Sequence, residues 1–573
     1  MPEDTIWIMD NPPSKKWPLY TRGNIGEVFP EVVLALTWDI YGQSAENGWR
    51  DAFERLGITA DGDFPDDEPM IILGVFGGYA YINATYVRML GVRAPGGTVE
   101  AIDQQFFGES EAPAYVASEG DKNTKSSLKL GRKVFQLLGA KDLPDLDQDK
   151  QDVASFANAF PDQNASDAEL FEAMLNFRDV FRKLFARHIE GTFSVALTSG
   201  ILQDLCLKVD RGHQLVSLLG GIGDIESAAP AAAMWDLAVS AQQTVSIRTA
   251  FDGGVNGLLE RLSQDTEAES WLTQFADFID EFGSRGPNEW DLGSDPWEIR
   301  PELALAAIDR MRTADASHAP QNQRTRLERE REAAVSDVRS ALNPVDRKLF
   351  DWSLRATTLL SQGRERSKTT VIRAIHEVRK AQRTIARRAA ERGGPQSLVD
   401  SCLLTTDEFK QFVGDPASMS DVIDTRRARH TELVGLVPPF IFEGQVPPLS
   451  EWERRDQVID AATAGAEIQG IQGCPGVSRG RARVVLDPAD PGDLGPGDVL
   501  VAPITDPSWT PLFLAAEAVV VDVGAVMSHA VIVSRELGIP CIVSATNATK
   551  LIPDGALIEV DGNNGTVKIL EVS

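Results

Sequence analysis

Several residue patterns that define common protein classes are scarce or missing in this chain. Its 573 residues include only four cysteines, which are scattered and form no Cys-x-x-Cys pair. That spacing argues against a structural zinc site and a disulfide framework, and it is typical of a reducing compartment. There is no run of about 18 apolar residues and no signal-peptide pattern at the N-terminus. We therefore expect a cytoplasmic protein without a membrane span.

Positive charge and nucleotide motifs are also scarce. The sequence has no Gly-x-x-x-x-Gly-Lys-Ser/Thr loop, and its formal net charge is -29. An acidic surface repels the phosphates of nucleic acids and anionic lipids, so we expect neither as a partner. Residues 363–392 are the exception, with ten basic and three acidic side chains. This segment is either a solvated helix face paired with acidic neighbours or a contact for phosphate or an anionic substrate.

The length of the chain predicts more than one domain, and its first 448 residues have mainly helical patterns. Apolar periodicity predicts helices over 167–189, 230–250, 266–282 and 368–392. The last of these should end at Gly393, because glycine accepts the left-handed conformation that terminates helices. Residues 313–334 are polar and rich in arginine and glutamate, which predicts an exposed connection.

The composition changes towards the C-terminus. Residues 449–471 are mostly polar or small, which predicts a hinge or linker. From residue 472 to 573, short apolar runs alternate with Gly, Pro and Asp turns, and one helix spans about 528–537. The predicted fold is thus multidomain, with a large mainly α-helical domain over 1–448 followed by a small α/β domain over 472–573.

The most informative histidine stands where that helix begins. An apolar strand leads into a turn containing Gly524, and Ser528 has the chemistry of an N-cap. His529 would then be the first helical residue, where free backbone N–H groups and the helix dipole favour an anion. A neutral imidazole is also a competent nucleophile near pH 7. The alternative is a capping or buried histidine without a chemical role.

Ordered motifs over residues 473–567 favour the chemical role. They are Pro475-Gly476-Val477, Pro496-Gly497-Asp498, Thr505-Asp506-Pro507-Ser508-Trp509-Thr510-Pro511, Ser528-His529-Ala530 and Asp561-Gly562-Asn563. This segment resembles the mobile phosphohistidine domain of the phosphoenolpyruvate-utilising, or dikinase, family. The resemblance implies that His529 accepts a phosphoryl group and carries it between two sites, with Gly524, Ser528 and Thr505 around the phosphate. Ala525 departs from the family, which often has a second glycine there.

The remaining chain is similar to the helical acceptor-binding domain of rifampin phosphotransferase-type enzymes. The matching pieces are Tyr20 to Pro30, Leu218-Leu219-Gly220-Gly221, Phe282 to Leu292, and Gly363-Arg364-Glu365 with Lys368. Acceptor or phosphate binding is implied for Arg22, Asn24, Glu27, Arg285, Glu289, Arg364 and Lys368. Ser284 stands where the family often has histidine, which suggests a different acceptor chemistry.

Spacing alone supports part of this set. Arg364 and Lys368 lie four residues apart, so they would share a helix face suited to a doubly charged phosphate. Arg285 and Glu289 have the same spacing and could form one polar cluster. Ion pairing within a large helical domain is the alternative for both pairs. His188 or His213 could serve as the base that accepts the proton of an acceptor hydroxyl.

These resemblances imply the phosphohistidine-carrying subunit of a two-component ATP-dependent phosphotransferase. Neither ATP-grasp motifs nor the pyruvate-binding barrel of other dikinases is evident, so a separate ATP-grasp subunit would bind ATP and Mg²⁺, and we expect no metal site in this chain. The layout is closest to rifampin phosphotransferase and phenylphosphate-synthase-type enzymes. We expect a hetero-oligomer that phosphorylates a small phenolic acceptor in aromatic compound catabolism. The alternatives are a non-catalytic phosphocarrier or regulatory protein and a rifamycin-like antibiotic phosphotransferase component.

Overall fold

The computed structural model describes residues 6–107, 112–223, 225–226, 228–313, 319–457, 460–488, 490–524 and 528–572. The chain divides into two compact units. Unit 1 comprises residues 1–200, 290–294 and 355–457, and unit 2 comprises residues 201–289, 295–354 and 458–573. Below, the α/β domain means residues 460–572 of unit 2.

Helices account for most of the described chain before residue 435. The α-helices of the described chain, including three in the α/β domain, are α1 (Ile25–Val28), α2 (Ala35–Leu56), α3 (Ala84–Arg93), α4 (Val99–Phe107), α5 (Thr124–Gly139), α6 (Pro144–Ala159), α7 (Asp167–Lys208), α8 (Leu215–Leu219), α9 (Ala229–Gln243), α10 (Val245–Asp252), α11 (Leu258–Ser263), α12 (Glu269–Phe282), α13 (Pro301–Met311), α14 (Pro320–Ala341), α15 (Pro344–Glu391), α16 (Thr406–Gly414), α17 (Ser420–Val434), α18 (Thr510–Phe513), α19 (His529–Leu537) and α20 (Ala548–Leu551).

Strands are concentrated in the α/β domain. The strands are β1 (Leu19–Thr21), β2 (Leu73–Phe76), β3 (Tyr79–Asn83), β4 (Leu436–Val437), β5 (Ile441–Glu443), β6 (Glu453–Arg454), β7 (Glu467–Gln469), β8 (Ile471–Cys474), β9 (Val477–Val484), β10 (Asp498–Ala502), β11 (Ala516–Val521), β12 (Cys541–Val543), β13 (Leu557–Asp561) and β14 (Thr566–Glu571). The predicted fold class, a large helical region followed by a small α/β domain, is confirmed.

Unit 1 packs its helices around an aromatic-rich core and a small antiparallel sheet. The sheet has the strand order β2-β3-β1-β5. Sequence patterns did not predict it, because its strands have only 3–5 residues and are buried along their length or sit at the sheet edge. Buried strands lack the alternation of apolar and polar residues that identifies half-exposed ones.

The α/β domain is built on an eight-stranded sheet with the order β7-β14-β13-β9-β10-β11-β12-β8. Strands β9 to β12 run parallel, and antiparallel strands extend the sheet on both sides. Successive residues of β10 face opposite sides, so Val499 and Leu500 belong to different apolar clusters. Because both faces are buried, the central strands appear in the sequence as continuous apolar runs.

The boundary between helical region and sheet differs from the prediction. The predicted linker, 449–471, includes β7 and the start of β8, and β7 pairs with β14. The amides of Ala462 and Gly465 also donate to Leu551 and Ile569 of the α/β domain. The predicted linker includes residues of the sheet because small and polar residues at a sheet edge have the composition of a linker.

The predicted exposed connection over 313–334 is also wrong where the structure describes it. Residues from Pro320 form α14, which buries Leu327, Ala334 and Val338 and leaves most other side chains exposed. These three residues recur at intervals of seven and four, the spacing of one helix face. So narrow an apolar stripe is easily missed among arginine and glutamate side chains.

The other predicted helices are present, with different limits. The helix predicted over 230–250 is interrupted at Thr244, between α9 and α10. The one predicted over 368–392 is the end of α15, which begins at Pro344, and it stops before Gly393, whose φ is 91°. The helix predicted over 167–189 begins at Asp167 but continues to Lys208, and the one predicted over 266–282 ends at Phe282.

Candidate functional site

Helix α19 begins with the geometry that the sequence predicts. Ser528 has extended backbone angles (φ -69°, ψ 161°), and its Oγ accepts a hydrogen bond of 3.4 Å from the Val531 amide. Ser528 is therefore the N-cap, and His529 is the first helical residue. Gly538, with φ 64°, ends the helix in the left-handed conformation. His529 thus lies at the positive end of the helix dipole, which favours an anion.

Two threonine hydroxyls flank the His529 ring. Its Nδ1 lies 3.2 Å from Thr505 Oγ1, and its Nε2 lies 3.3 Å from Thr510 Oγ1. Both threonines are buried, whereas His529 is partly exposed. Since a hydroxyl can donate or accept, this pair orients the imidazole in either neutral tautomer. Thr505 was among the predicted residues; Thr510 was not, although it stands in the same sequence motif.

Gly524 lies between β11 and α19 in the chain. Its carbonyl accepts a hydrogen bond from Ser544 Oγ, and a Cβ at position 524 would lie 3.0 Å from the Cβ of Val543. The close approach explains why a glycine follows β11. Ala525, the departure from the family pattern, lies outside the described residues.

The predicted cluster of Arg285 and Glu289 is present as a buried ion pair in unit 2. Arg285 Nε lies 2.7 Å from Glu289 Oε2, and the two side chains are 2% and 1% exposed. Breaking such a pair would leave an uncompensated buried charge. The acceptor- or phosphate-binding role of Arg285 and Glu289 stays a prediction.

Ser284, which replaces the family's histidine, is buried beside this pair. Within the part of the chain that the structure describes, its Oγ has no hydrogen-bond partner. A buried hydroxyl without a partner costs free energy and is uncommon. The contacts described for this loop do not explain why the Ser284 hydroxyl is buried.

Arg22 makes structural contacts inside unit 1, and its acceptor- or phosphate-binding role stays a prediction. Its guanidinium is buried and donates to the carbonyl oxygens of Ala80, Phe29 and Pro30 at 2.8, 2.9 and 3.1 Å. It also lies over the rings of Tyr79 and Tyr81. The three hydrogen bonds use part of the five N–H donors of the guanidinium.

Asn24 and Glu27 lie close to Arg22 in sequence but differ from it in environment. Asn24 is exposed, with φ 69°, at the start of the short helix α1, and Glu27 is half-buried in the first turn. The acceptor-binding role of both residues stays a prediction.

A second polar cluster forms in unit 1, where α7 meets α15. Arg364 and Lys368 are half-buried on α15, and His188 of α7 is close enough for both cations to influence its protonation. The ring of His188 lies 5.9 Å from Trp290 and 6.5 Å from Phe185, measured between centroids. A candidate base, two cations and two aromatic rings are thus grouped in unit 1.

Hydrogen bonds define the tautomer of His188. Ser367 Oγ donates its one proton to the Arg364 carbonyl at 2.7 Å, so it faces His188 Nδ1, at 3.1 Å, with a lone pair. Nδ1 therefore carries the proton, and Nε2 carries the free lone pair. Burial, then Arg364 and Lys368, lower the pKa of His188 to about 3, which keeps the ring neutral near pH 7.

Elsewhere on α15 the basic segment is largely paired. Arg366 pairs with Asp147, and Arg388 and Arg392 both pair with Asp167. This agrees with the solvated, ion-paired interpretation of residues 363–392. The segment does not act as one uniform phosphate-binding surface.

The described residues include neither a metal-ligand cluster nor a membrane-spanning helix. No group of three or more His, Cys, Asp or Glu side chains there could hold a metal ion. No described helix is both long enough and apolar enough to cross a membrane.

Comparison with known protein families identifies two domains. Residues 187–365 match the rifampicin phosphotransferase fourth domain, and residues 494–565 match the mobile domain of PEP-utilising enzymes. The first match contains His188, Arg285, Glu289 and Arg364. The second contains Thr505, Gly524, Ser528 and His529.

Relatives share about a third of their residues with this chain where they align. An uncharacterized protein of Mycobacterium bovis is 35% identical over 291 residues, which is 51% of this chain and 30% of the relative. The prodigiosin synthesizing transferase of Serratia marcescens is 30% identical over 54% of this chain and 35% of its own length. A rifampicin phosphotransferase of Streptomyces sviceus is 31% identical over 54% and 36%.

The aligned segments cover about a third of each of these relatives. Sequence similarity is therefore established for the two matched segments. One resembles the rifampicin phosphotransferase fourth domain, and the other, which contains His529, resembles the mobile domain of PEP-utilising enzymes.

Proposed function

We propose that this protein is the phosphohistidine-carrying component of a phosphotransferase. The observation that carries the proposal is the position of His529 as the first residue of α19, with both ring nitrogens facing threonine hydroxyls. Phosphorylation would form an N–P bond, and the positive end of the helix dipole would favour the resulting dianion. The match to the PEP-utilising mobile domain supports this role.

The phosphoryl group would come from ATP bound with Mg²⁺ on a separate ATP-grasp subunit. In the overall reaction, ATP, water and the acceptor would give AMP, inorganic phosphate and the phosphorylated acceptor. In the last step, the acceptor oxygen forms a bond to phosphorus, the N–P bond to His529 breaks, and the hydroxyl proton leaves to a base. His188 is our candidate for that base, since its Nε2 carries a free lone pair.

A small phenol is the acceptor class that we favour. Trp290 and Phe185 provide aromatic surfaces beside His188, while Arg364 and Lys368 supply charge that would neutralise a phosphoryl group. A rifamycin-like antibiotic is the second candidate, supported by the match to the rifampicin phosphotransferase fourth domain. In both cases the protein contributes positioning and charge neutralisation.

The carrier role can be tested without the partner. Potassium phosphoramidate phosphorylates histidines chemically, with release of ammonia, so His529 can be loaded on the isolated chain and located by mass spectrometry. We expect an acid-labile phosphoryl group on His529 that is lost in His529→Ala. His213→Ala, at an exposed histidine outside the α/β domain, is the matched control and should keep the label.

Transfer and energy source need separate experiments. The loaded chain would be mixed with a panel of phenols and a rifamycin, and the products would be identified by mass spectrometry. Release of the label to one acceptor class supports an enzyme, whereas stable label with every acceptor favours a regulatory phosphocarrier. The chain alone with MgATP should give no label and no AMP, and addition of an ATP-grasp subunit should give both.

A further inference from the structure

The loop that carries Thr505 also joins the α/β domain to the helical part of unit 2. This loop connects β10 to α18, and its next residue, Asp506, directs its carboxylate at the loop between α12 and α13. Asp506 Oδ2 accepts a hydrogen bond of 3.0 Å from the backbone amide of Asn288. The two residues are 218 positions apart in the chain, so the bond joins two separately built elements.

Both sides of this contact are rigidly built. On one side, Asp506 Oδ1 accepts from the Ser508 amide at 2.9 Å, which orients the carboxylate. On the other, Asn288 has a φ of 49°, a left-handed conformation that points its N–H out of the loop. The buried ion pair of Arg285 and Glu289 surrounds that residue in sequence.

Gly286 gives the receiving loop its shape. Its φ is 156°, and a Cβ there would lie 2.7 Å from the Cα of Pro296. The Arg285 carbonyl also accepts from the Trp297 amide at 2.9 Å. The amide of Asn288 therefore belongs to a loop that is held on both sides.

Apolar packing surrounds the polar contact. Trp509, Leu512 and Phe513 of the α/β domain belong to one buried cluster with Trp297 and Ala307 of the helical part. A cavity of about 20 Å³ remains at this junction, enough for roughly one water molecule. At a second point, Arg326 of α14 donates to the Gly538 carbonyl at the end of α19, at 2.9 Å. The histidine helix is thus held near both of its ends.

We propose that Asp506 is a docking residue that couples the position of the α/β domain to the orientation of His529. Its bond to Asn288 holds the domain on the helical part of unit 2, and its neighbour Thr505 contacts His529 Nδ1. Loss of the Asp506–Asn288 bond would release the α/β domain and, at the same time, disturb the orientation of the His529 ring. The inference rests on the proposed function for its significance, since a carrier that visits two sites needs a docked state and a way to leave it.

The Asp506–Asn288 hydrogen bond is strong enough to favour the docked state and weak enough to open reversibly. A hydrogen bond to a charged group contributes more than a neutral one but remains within reach of thermal opening. Burial, and then the nearby Glu289, raise the pKa of Asp506. The charged carboxylate is therefore less stable in the docked state than in water. When the contact opens, the Asp506 carboxylate is solvated again and its desolvation cost is removed.

The test uses the full, unphosphorylated chain, so it does not depend on any activity. Amide hydrogen exchange would be followed in a peptide that contains Asn288, with β11 as an internal control for folding of the α/β domain. In Asp506→Ala we expect exchange at Asn288 to rise by about tenfold or more, with β11 unchanged. Asp506→Asn retains an acceptor oxygen and should give a smaller increase.

A second readout examines the histidine itself. Diethylpyrocarbonate reacts with accessible imidazoles, and we expect the rate at His529 to change in Asp506→Ala but not in Asn288→Gly. The glycine variant keeps the backbone donor and favours the positive φ, so it is a matched control. Unchanged exchange at Asn288 in Asp506→Ala, with β11 still protected, would overturn the proposal.

The outcomes separate this inference from the carrier role. Faster exchange in Asp506→Ala together with no phosphoryl group on His529 would uphold the docking contact and refute the carrier. A labelled His529 with no response to Asp506→Ala would do the reverse.

Discussion

At the scale of single residues, neighbouring charges determine whether His188 can act as a base. Burial, then Arg364 and Lys368, lower its pKa to about 3. A phosphoryl dianion between those cations would offset their charge, and the His188 pKa would then rise. The base would therefore become stronger when the phosphoryl donor arrives.

This view predicts how Arg364→Gln affects the titration of His188. Removing a positive charge favours the charged imidazolium, so the pKa of His188 should rise above its value in the unaltered chain. The ring resonances of His188 can be followed by NMR between pH 3 and 8. A His188 that titrates near 6.5 in the unaltered chain would contradict the assignment.

The same shift predicts a pH dependence of stability. Because the pKa is about 3 in the folded chain and 6.5 in a free side chain, only the unfolded chain takes up this proton as pH falls below about 6.5. Uptake stabilises the unfolded state, so acidification from pH 7 to 5 should lower the free energy of unfolding, by up to about 1.4 kcal/mol per pH unit from this group. His188→Gln should show a smaller loss over that range in urea denaturation.

The hydroxyls beside His529 give a second residue-scale prediction. Thr505→Val and Thr510→Val preserve shape and remove one partner each from the ring. Each loss is expected to slow chemical phosphorylation of His529 by about tenfold, the effect of roughly one hydrogen bond. Rates from phosphoramidate would be compared with the thermal stability of each variant. Equal rates in all three proteins would show that the threonines do not orient the ring.

At the scale of elements, the N-cap determines where α19 begins and therefore where His529 stands. Ser528→Ala removes the acceptor of the Val531 amide and should lower the free energy of unfolding by about 1 kcal/mol. Ser528→Thr keeps a capping hydroxyl and should change it by less. Denaturant unfolding measures both, and a Thr variant as unstable as the Ala variant would count against the cap.

The junction between helices and sheet in unit 2 is the element-scale feature with most consequence. Elements far apart in the chain supply its apolar cluster, and the Asp506–Asn288 bond lies at its edge. The region that must move in a carrier is thus held by one apolar patch and a few polar bonds. That is the composition expected of a reversible contact.

At the scale of the whole molecule, a covalent lock provides the test of domain movement. Pro287 and Ser508 line the same small cavity on opposite sides of the junction, and all four native cysteines are buried. Pro287→Cys with Ser508→Cys should therefore accept a cleavable thiol cross-linker selectively. We expect the locked protein to complete at most one transfer from His529, and reduction of the linker to restore multiple turnovers.

Each single-cysteine variant treated with the same reagent is the control, and both should retain turnover. A locked protein that turns over repeatedly would show that His529 serves both sites from one position.

Short-range patterns in the sequence determined much of the α/β domain and of its site. The β-rich run, the cap at Ser528, the position of His529 and the stop at Gly538 all depend on contacts within a few residues. Such contacts follow from residue type and spacing, because backbone sterics and capping are local. The spacing of Arg285 and Glu289 likewise predicted their pairing.

Only the tertiary structure decided the roles that depend on distant partners. Arg22 resembles a phosphate ligand in sequence, yet its guanidinium is buried and donates to the carbonyls of Ala80 and Phe29. The tautomer of His188 depends on Ser367, which is 179 positions away, and the docking bond joins residues 218 apart. Burial and long-range hydrogen bonds arise when the chain closes on itself, and neither spacing nor composition encodes them.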